Sequence, residues 1–250
     1  MSSFALWVIA CIGVAVTSYM AVRDVRRAKN EKYGLFDNCA GEIEDAEVEI
    51  DQAGFPLLVG RQNGRTLRAE LIPDTMTIRR LPQLWLSVSA MSHSPGRASF
   101  AILNRPSGND YYSLTNRLPD QLEPPKGLPI EVLIRGDGAR AQALLDRLAP
   151  VLVEIFSEAR VKEVAVTERG VRIIVQNAEG RRGNYLLLRQ ATFDDGQVRP
   201  ELLRELLARV EMLEGHEVRP QREKDCQTET EPALVQRAAS HRGAQPVPAM

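Results

Sequence analysis

Gly136-Asp137-Gly138-Ala139-Arg140-Ala141 has the residue types and spacing with which a backbone can cradle a dinucleotide. It fits G-x-G-x-x-A, follows a run that reads as a strand and opens one that reads as a helix. In that setting the glycines let backbone approach a pyrophosphate at the helix N-terminus, and Glu168 stands where a ribose-binding acid could lie. Two features oppose this reading. Asp137 brings negative charge to the place of the phosphates, and the next strand turns back at Arg169-Gly170 as a hairpin, where a dinucleotide-binding sheet needs a crossover helix and a parallel strand. The plainer reading is a strand-to-helix turn with Asp137 as the cap. No cofactor is expected, and a nucleotide-dependent enzyme built on Gly136–Ala141 stays as an alternative.

The second unusual string is Arg79-Arg80-Leu81-Pro82-Gln83-Leu84-Trp85-Leu86. Trp85 falls on the strand face that otherwise carries Ser87 and Ser89, so a helix of the second half is expected to cover it, or else a partner or lipid surface does. Arg79, Arg80 and Trp85 are therefore the candidate interaction surface. Other chemistry is sparse. His93, His216 and His241 have no second His or Cys at ligand spacing, so no metal is expected. Ser92 and Ser94 flank His93 without a strand–elbow–helix setting, and Asp194-Asp195-Gly196 lacks the further oxygens of a calcium loop. No catalytic residue is assigned. The net charge is −1, and the basic residues are not interleaved with stacking aromatics, so nucleic acid is not an expected partner.

What holds these residues in place begins with an anchor. Phe4 to Val22 carries no charge and reaches about 28 Å as a helix, close to a hydrocarbon core of about 30 Å. A cleaved signal peptide fits less well, because Met1-Ser2-Ser3 offers no basic side chain and the apolar run is long. Arg23, Arg26, Arg27 and Lys29 follow at once, a membrane-proximal basic collar that keeps the C-terminal side cytoplasmic. Gly13, Thr17 and Ala21 recur every four residues, a small-residue face on which two such helices could dimerise. Cys11, Cys39 and Cys226 form no disulfide framework, and none is expected in the folded core.

Beyond a connector over residues 23–45, the expected fold class is α+β. An antiparallel β-meander of five or six strands is read over 46–104, since apolar and polar residues alternate between turns at Asn63-Gly64 and Pro73-Asp74. The acidic block Glu42, Glu44, Asp45, Glu47, Glu49 and Asp51 at its start is expected to pair across strands with arginine-bearing neighbours. Pro106, Pro119, Pro124, Pro125 and Pro129 mark 105–129 as a connection between parts, where Tyr111, Tyr112, Leu114 and Leu118 could pack. Over 130–215 the pattern gives a strand, a helix from about Gly138 to Glu158 that Pro150 should kink, strands at Val161–Thr167, Val171–Gln176 and Tyr185–Arg189, and a helix from Pro200 that stops at Gly215. Residues 216–250 read as a polar, disordered tail.

These elements suggest a single-pass protein of the cell (inner) membrane. Its cytoplasmic α+β domain would bind a protein or the membrane surface rather than catalyse. The expected partners are the lipid bilayer, an unidentified membrane or cytoplasmic protein, and a second copy of the chain. An extracytoplasmic envelope-assembly module is the other alternative.

Overall fold

The structure is a computed structural model that describes residues 7, 11–20, 22–23, 34–51, 55–75, 81–182, 185, 193 and 196–228. Of the expected anchor, residues 7, 11–20 and 22–23 are helical. Their apolar side chains stand exposed, Trp7 at 72% and Ile12, Val14, Val16 and Tyr19 beside it. Among the described residues no helix is long and apolar enough to cross a membrane. Gly13 and Thr17 share this helix, and the Thr17 hydroxyl donates back to the Gly13 and Val14 carbonyls at 2.9 and 3.0 Å. Ala21, Arg26, Arg27, Lys29, Arg79, Arg80, the strand foreseen at Tyr185–Arg189 apart from Tyr185, and residues 229–250 lie outside the described residues.

Nine strands form one antiparallel sheet among the described residues: β1 (Glu44–Ile50), β2 (Pro56–Gln62), β3 (Arg65–Asp74), β4 (Gln83–Met91), β5 (Phe100–Asn104), β6 (Asp120–Gln121), β7 (Val132–Gly136), β8 (Val161–Thr167) and β9 (Gly170–Glu179). Their order is β1-β2-β3-β4-β9-β8-β5-β7-β6. The meander holds through β4. Asn63 and Gly64 turn the β2–β3 hairpin with φ of 52° and 77°, as a type I′ turn requires. Pro73 and Asp74 are not a turn but the last residues of β3, opposite Leu84 and Gln83. The next neighbour of β4 is β9 rather than β5. Leu86 and Val88 on β4 and Ile173 and Val175 on β9 are apolar on the same side, so joining the two halves makes one continuous core face. Gly170 permits the join at its end: any Cβ there would sit 2.0 Å from the Ala90 carbonyl oxygen.

Two helices cover that face. α1 (Ala139–Ser157) runs on through Pro150 without restarting, and α2 (Pro200–Thr228) passes Gly215, so helix extends into the segment read as tail. Leu144, Leu145, Leu148 and Leu152 of α1 and Leu202, Leu203, Leu206, Leu207, Val210 and Leu213 of α2 are buried, as their spacing predicts. Each such side chain contributes roughly 1.5–3 kcal/mol by leaving water. The supposed connector joins this core. A 3-10 turn at Gly34–Cys39 buries Phe36 and Cys39, and the Val198 amide donates to the Leu35 carbonyl at 2.8 Å. Cys39 is thus a core residue, contrary to the sequence reading. Burial first, then Glu42 and Glu201, push its thiol up to about 11.

The acidic strand β1 lies at the sheet edge, and of its acids only Glu44 has an arginine, Arg61, opposite in register; Val59 faces Glu47, Leu57 faces Glu49, and Asp45 falls in a bulge. Cross-strand charge pairing therefore does not explain the acids. Charge on an edge strand, with a bulge at Asp45 (φ 51°), blocks edge-to-edge pairing with other chains.

Candidate functional site

The sheet face away from the helices carries Trp85 and Ser87 from β4, Arg172 and Ile174 from β9, Glu163 from β8 and Asp74 at the end of β3, most of them buried. What buries them is the segment 105–118, which folds back over the strands as a strap. Tyr112 packs on Trp85 with ring centroids 6.1 Å apart, and Ile174 and Ile72 complete this small cluster. Trp85 is 8% exposed. The strap, and not a helix of the second half, is its second layer, so Trp85 is no exposed docking residue.

Bulges in β8 and β9 shape the site. On β8, Val161 pairs with Val175 and Glu163 with Ile174, which leaves Lys162 as an extra residue. On β9, Leu84 faces Ala178 and Trp85 faces Gln176, which leaves Asn177 extra. A bulge re-aims side chains. Here it allows two adjacent ionisable residues, Lys162 and Glu163, to be buried at 4% and 0% exposure. Period-2 alternation would have sent one of them to each face.

Each buried charge meets a group on the strap. The Lys162 ammonium lies 3.0 Å from Asp110 Oδ1 and donates to the carbonyls of Asn104 at 3.1 Å and Arg105 at 2.8 Å. It also stands 5.7 Å from the centre of the Trp85 ring. Asp110 Oδ2 accepts from the Ser107 amide at 2.7 Å. Burial alone would raise the Asp110 carboxyl, but the Ser107 amide and the Lys162 charge outweigh it and hold the group below its ordinary value. Burial, reinforced by Asp110 and Asp74, pushes the Tyr112 phenol far up. The second pair is Glu163 with Arg172; Glu163 Oε2 also accepts from the Leu114 amide at 3.2 Å, and Arg172 donates to the Tyr112 carbonyl at 3.0 Å.

A cavity lies against each pair. The first, of about 300 Å³, is polar and is lined by Asp74, Gln83, Trp85, Arg105, Lys162 and Gln176. Asp74 is 4% exposed, and its Oδ1 has no hydrogen-bond partner among the described residues. The second, of about 420 Å³, lies between the β8–β9 hairpin and the short 3-10 helix Leu114–Arg117, and its lining is mainly apolar.

The Gly136–Ala141 turn is closed. A side chain on Gly136 would meet Leu122 Cδ1 at 2.6 Å and Ala141 Cβ at 2.7 Å, so the space a phosphate needs is filled. Asp137 does not cap α1. Its Oδ2 accepts from the Ser99 amide at 2.9 Å while its own amide donates to Ser99 O at 3.0 Å, and Gly138 holds the cap position without a side-chain bond. Glu168 accepts from the Gly96 amide at 3.2 Å. β7 is antiparallel to both its neighbours, unlike a dinucleotide-binding strand. Among the described residues no group of His, Cys, Asp or Glu could hold a metal ion.

Sequence reasoning missed Asp74, Asp110, Lys162, Glu163 and Arg172. The available signal was Lys162-Glu163 inside an otherwise apolar strand, Val161 to Val166.

Fold and site together define an α+β protein in which a strap closes ionisable side chains onto the open face of an antiparallel sheet. Compared with known protein families, curated proteins and solved structures, the chain matches none.

Proposed function

We propose that this chain is a membrane-tethered binding protein, with its N-terminal helix in the bilayer and its α+β part on the cytoplasmic side, where it holds a partner rather than transforming a substrate. One observation carries the tether. The described part of the N-terminal helix displays Trp7, Ile12, Val14, Val16, Tyr19 and Met20 to solvent, around the helix and not along one stripe. A helix apolar all round belongs in lipid or in a protein interior. The basic collar from Arg23 to Lys29 supports the orientation. The strap face supports binding over catalysis: Lys162 is held by Asp110 and Glu163 by Arg172, an arrangement that makes a stiff surface.

The test is extraction of the full-length chain from native membranes with alkaline carbonate, joined to a periplasmic-type phosphatase reporter fused after Met250. The protein should stay in the pellet, and the reporter should be silent. Release into the supernatant overturns the tether, and an active reporter overturns the orientation.

A further inference from the structure

The second cavity has a charge pattern that the proposed function does not use. Leu114, Leu118, Met91 and Ala165 give it an apolar wall, and Arg117, Arg169 and Arg172 stand around it. Arg117 and Arg169 are exposed, and neither has an ion-pair partner among the described residues. Arg172 uses its terminal nitrogen on Glu163 and on the Tyr112 carbonyl, and its Nε–H is buried away from the cavity surface. The one acid in the lining, Glu168, is engaged by the Gly96 amide. The site therefore offers two unpaired, exposed guanidinium groups beside an apolar surface. Its volume of about 420 Å³ is that of a small-molecule pocket.

We propose that this cavity binds a small anionic amphiphile, an acyl-type apolar body carrying one carboxylate. The carboxylate would meet Arg117 and Arg169 at the rim. The chain of the ligand would lie on Leu114, Leu118 and Met91. Arginine suits this task because its planar fork pairs with both carboxylate oxygens. Any neutral ligand would leave the guanidinium groups unanswered. The inference is independent of the membrane tether, since the cavity belongs wholly to the folded part.

Octanoate titrated into the purified full-length protein, followed by calorimetry, tests the idea. Octanamide serves as the uncharged control and acetate as the control without an apolar body. Octanoate should bind, and both controls should be at least about tenfold weaker, as expected for loss of a charged hydrogen-bonding group or of the apolar contact. Arg117→Ala and Arg169→Ala, both at exposed positions that leave the core intact, should each weaken octanoate about fivefold, and together more. Ser89→Leu, which fills the cavity, should abolish binding while the thermal midpoint is kept. Equal binding of octanoate and octanamide overturns the proposal, as does unchanged octanoate affinity in the double arginine variant. If octanoate gives no heat and the double variant instead loses affinity for vesicles of anionic phospholipid, the arginines serve a bilayer surface and the cavity proposal is wrong.

Discussion

On the helix side of the sheet, Leu86, Val88, Ile173, Val164 and Ile102 meet the leucines of α1 and α2 without a charged group between them. On the strap side the same strands present Trp85, Ser87, Arg172, Glu163 and Lys162. The difference extends to hydrogen bonding. The buried side-chain atoms without a partner, Asp74 Oδ1, Trp85 Nε1, Ser87 Oγ, Arg135 Nε and Arg172 Nε, belong to side chains directed away from the helices among the described residues. Packing accounts for most of the helix side, where the buried carboxylate of Glu214 on α2 is answered by Arg65 and the Ser92 hydroxyl at the margin of the core. The strap side instead buries polar groups under a covering segment, several of them without a partner among the described residues, so its stability depends on ion pairs and hydrogen bonds as well as on packing.

The largest expected effect comes from breaking a buried pair on the strap side. Glu163→Ala leaves the half-buried Arg172 charge with the Tyr112 carbonyl but no carboxylate, and should cost roughly 3–5 kcal/mol in urea unfolding. The double replacement Glu163→Leu with Arg172→Met should recover most of that loss, because two apolar side chains need no partner. If Glu163→Ala costs less than about 1 kcal/mol, water reaches the pair and the contrast between the faces is weaker than drawn.

Next comes Leu86→Ala on the helix side, expected to cost roughly 2–5 kcal/mol through the cavity left beneath α2. The comparison is sharpened by where the damage appears. Limited proteolysis should cut the Glu163→Ala strap between Arg105 and Arg117 while the sheet stays intact. Leu86→Ala should leave the strap protected until the whole domain unfolds. Early strap cleavage in both would mean that the two faces are not separately held.

A smaller effect follows from acid. The Asp110 carboxyl is held below its ordinary value of 3.8 by the Ser107 amide and the Lys162 charge, against burial. A group depressed in the folded state contributes stability that is present above the unfolded value and lost as pH falls through the folded one. Protection of the strap from proteolysis by an acid-active enzyme should therefore be steady above about pH 4 and decline below it. Asp110→Asn should flatten that decline. An unchanged acid profile in the variant would shift the responsibility to another carboxyl on this face.

How far this arrangement could be read from the residues differs between the two faces for a physical reason. The helix side follows from period: alternation on β3 and β4 and the 3.6-residue spacing on α1 and α2 mark the faces that the core takes up. β5 could not be placed by pattern. A strand after β4 reads the same whether it pairs with β4 or, as here, with β7 and β8, and the choice depends on contacts between distant residues. The strap side was hidden more deeply. Bulges at Lys162 and Asn177 break the period-2 record where the charges lie, and the proline-rich run from Pro106 reads as linker although it supplies Asp110 and Tyr112. Besides Lys162-Glu163 within an apolar run, Trp85 was the legible clue. Its size on a serine-bearing face required a cover, and Tyr112 provides it.

The smallest expected effect tests whether the ions or the rim hold the strap. Tyr111 is exposed, and its hydroxyl donates to the Pro73 carbonyl at 2.9 Å, a second link between the strap and β3. Its phenol is raised by burial and by Asp74, so the hydroxyl stays a donor across neutral pH. In Tyr111→Phe the ring remains edge-on to Tyr112 while the donor is lost, and the Pro73 carbonyl can turn to water. The cost should be about 0.5 kcal/mol in urea unfolding, near the lower end for one hydrogen bond, with no change in strap proteolysis. A loss approaching that of Glu163→Ala would show the strap to be fastened at its edge, and the buried ion pairs would then need another reason to be there.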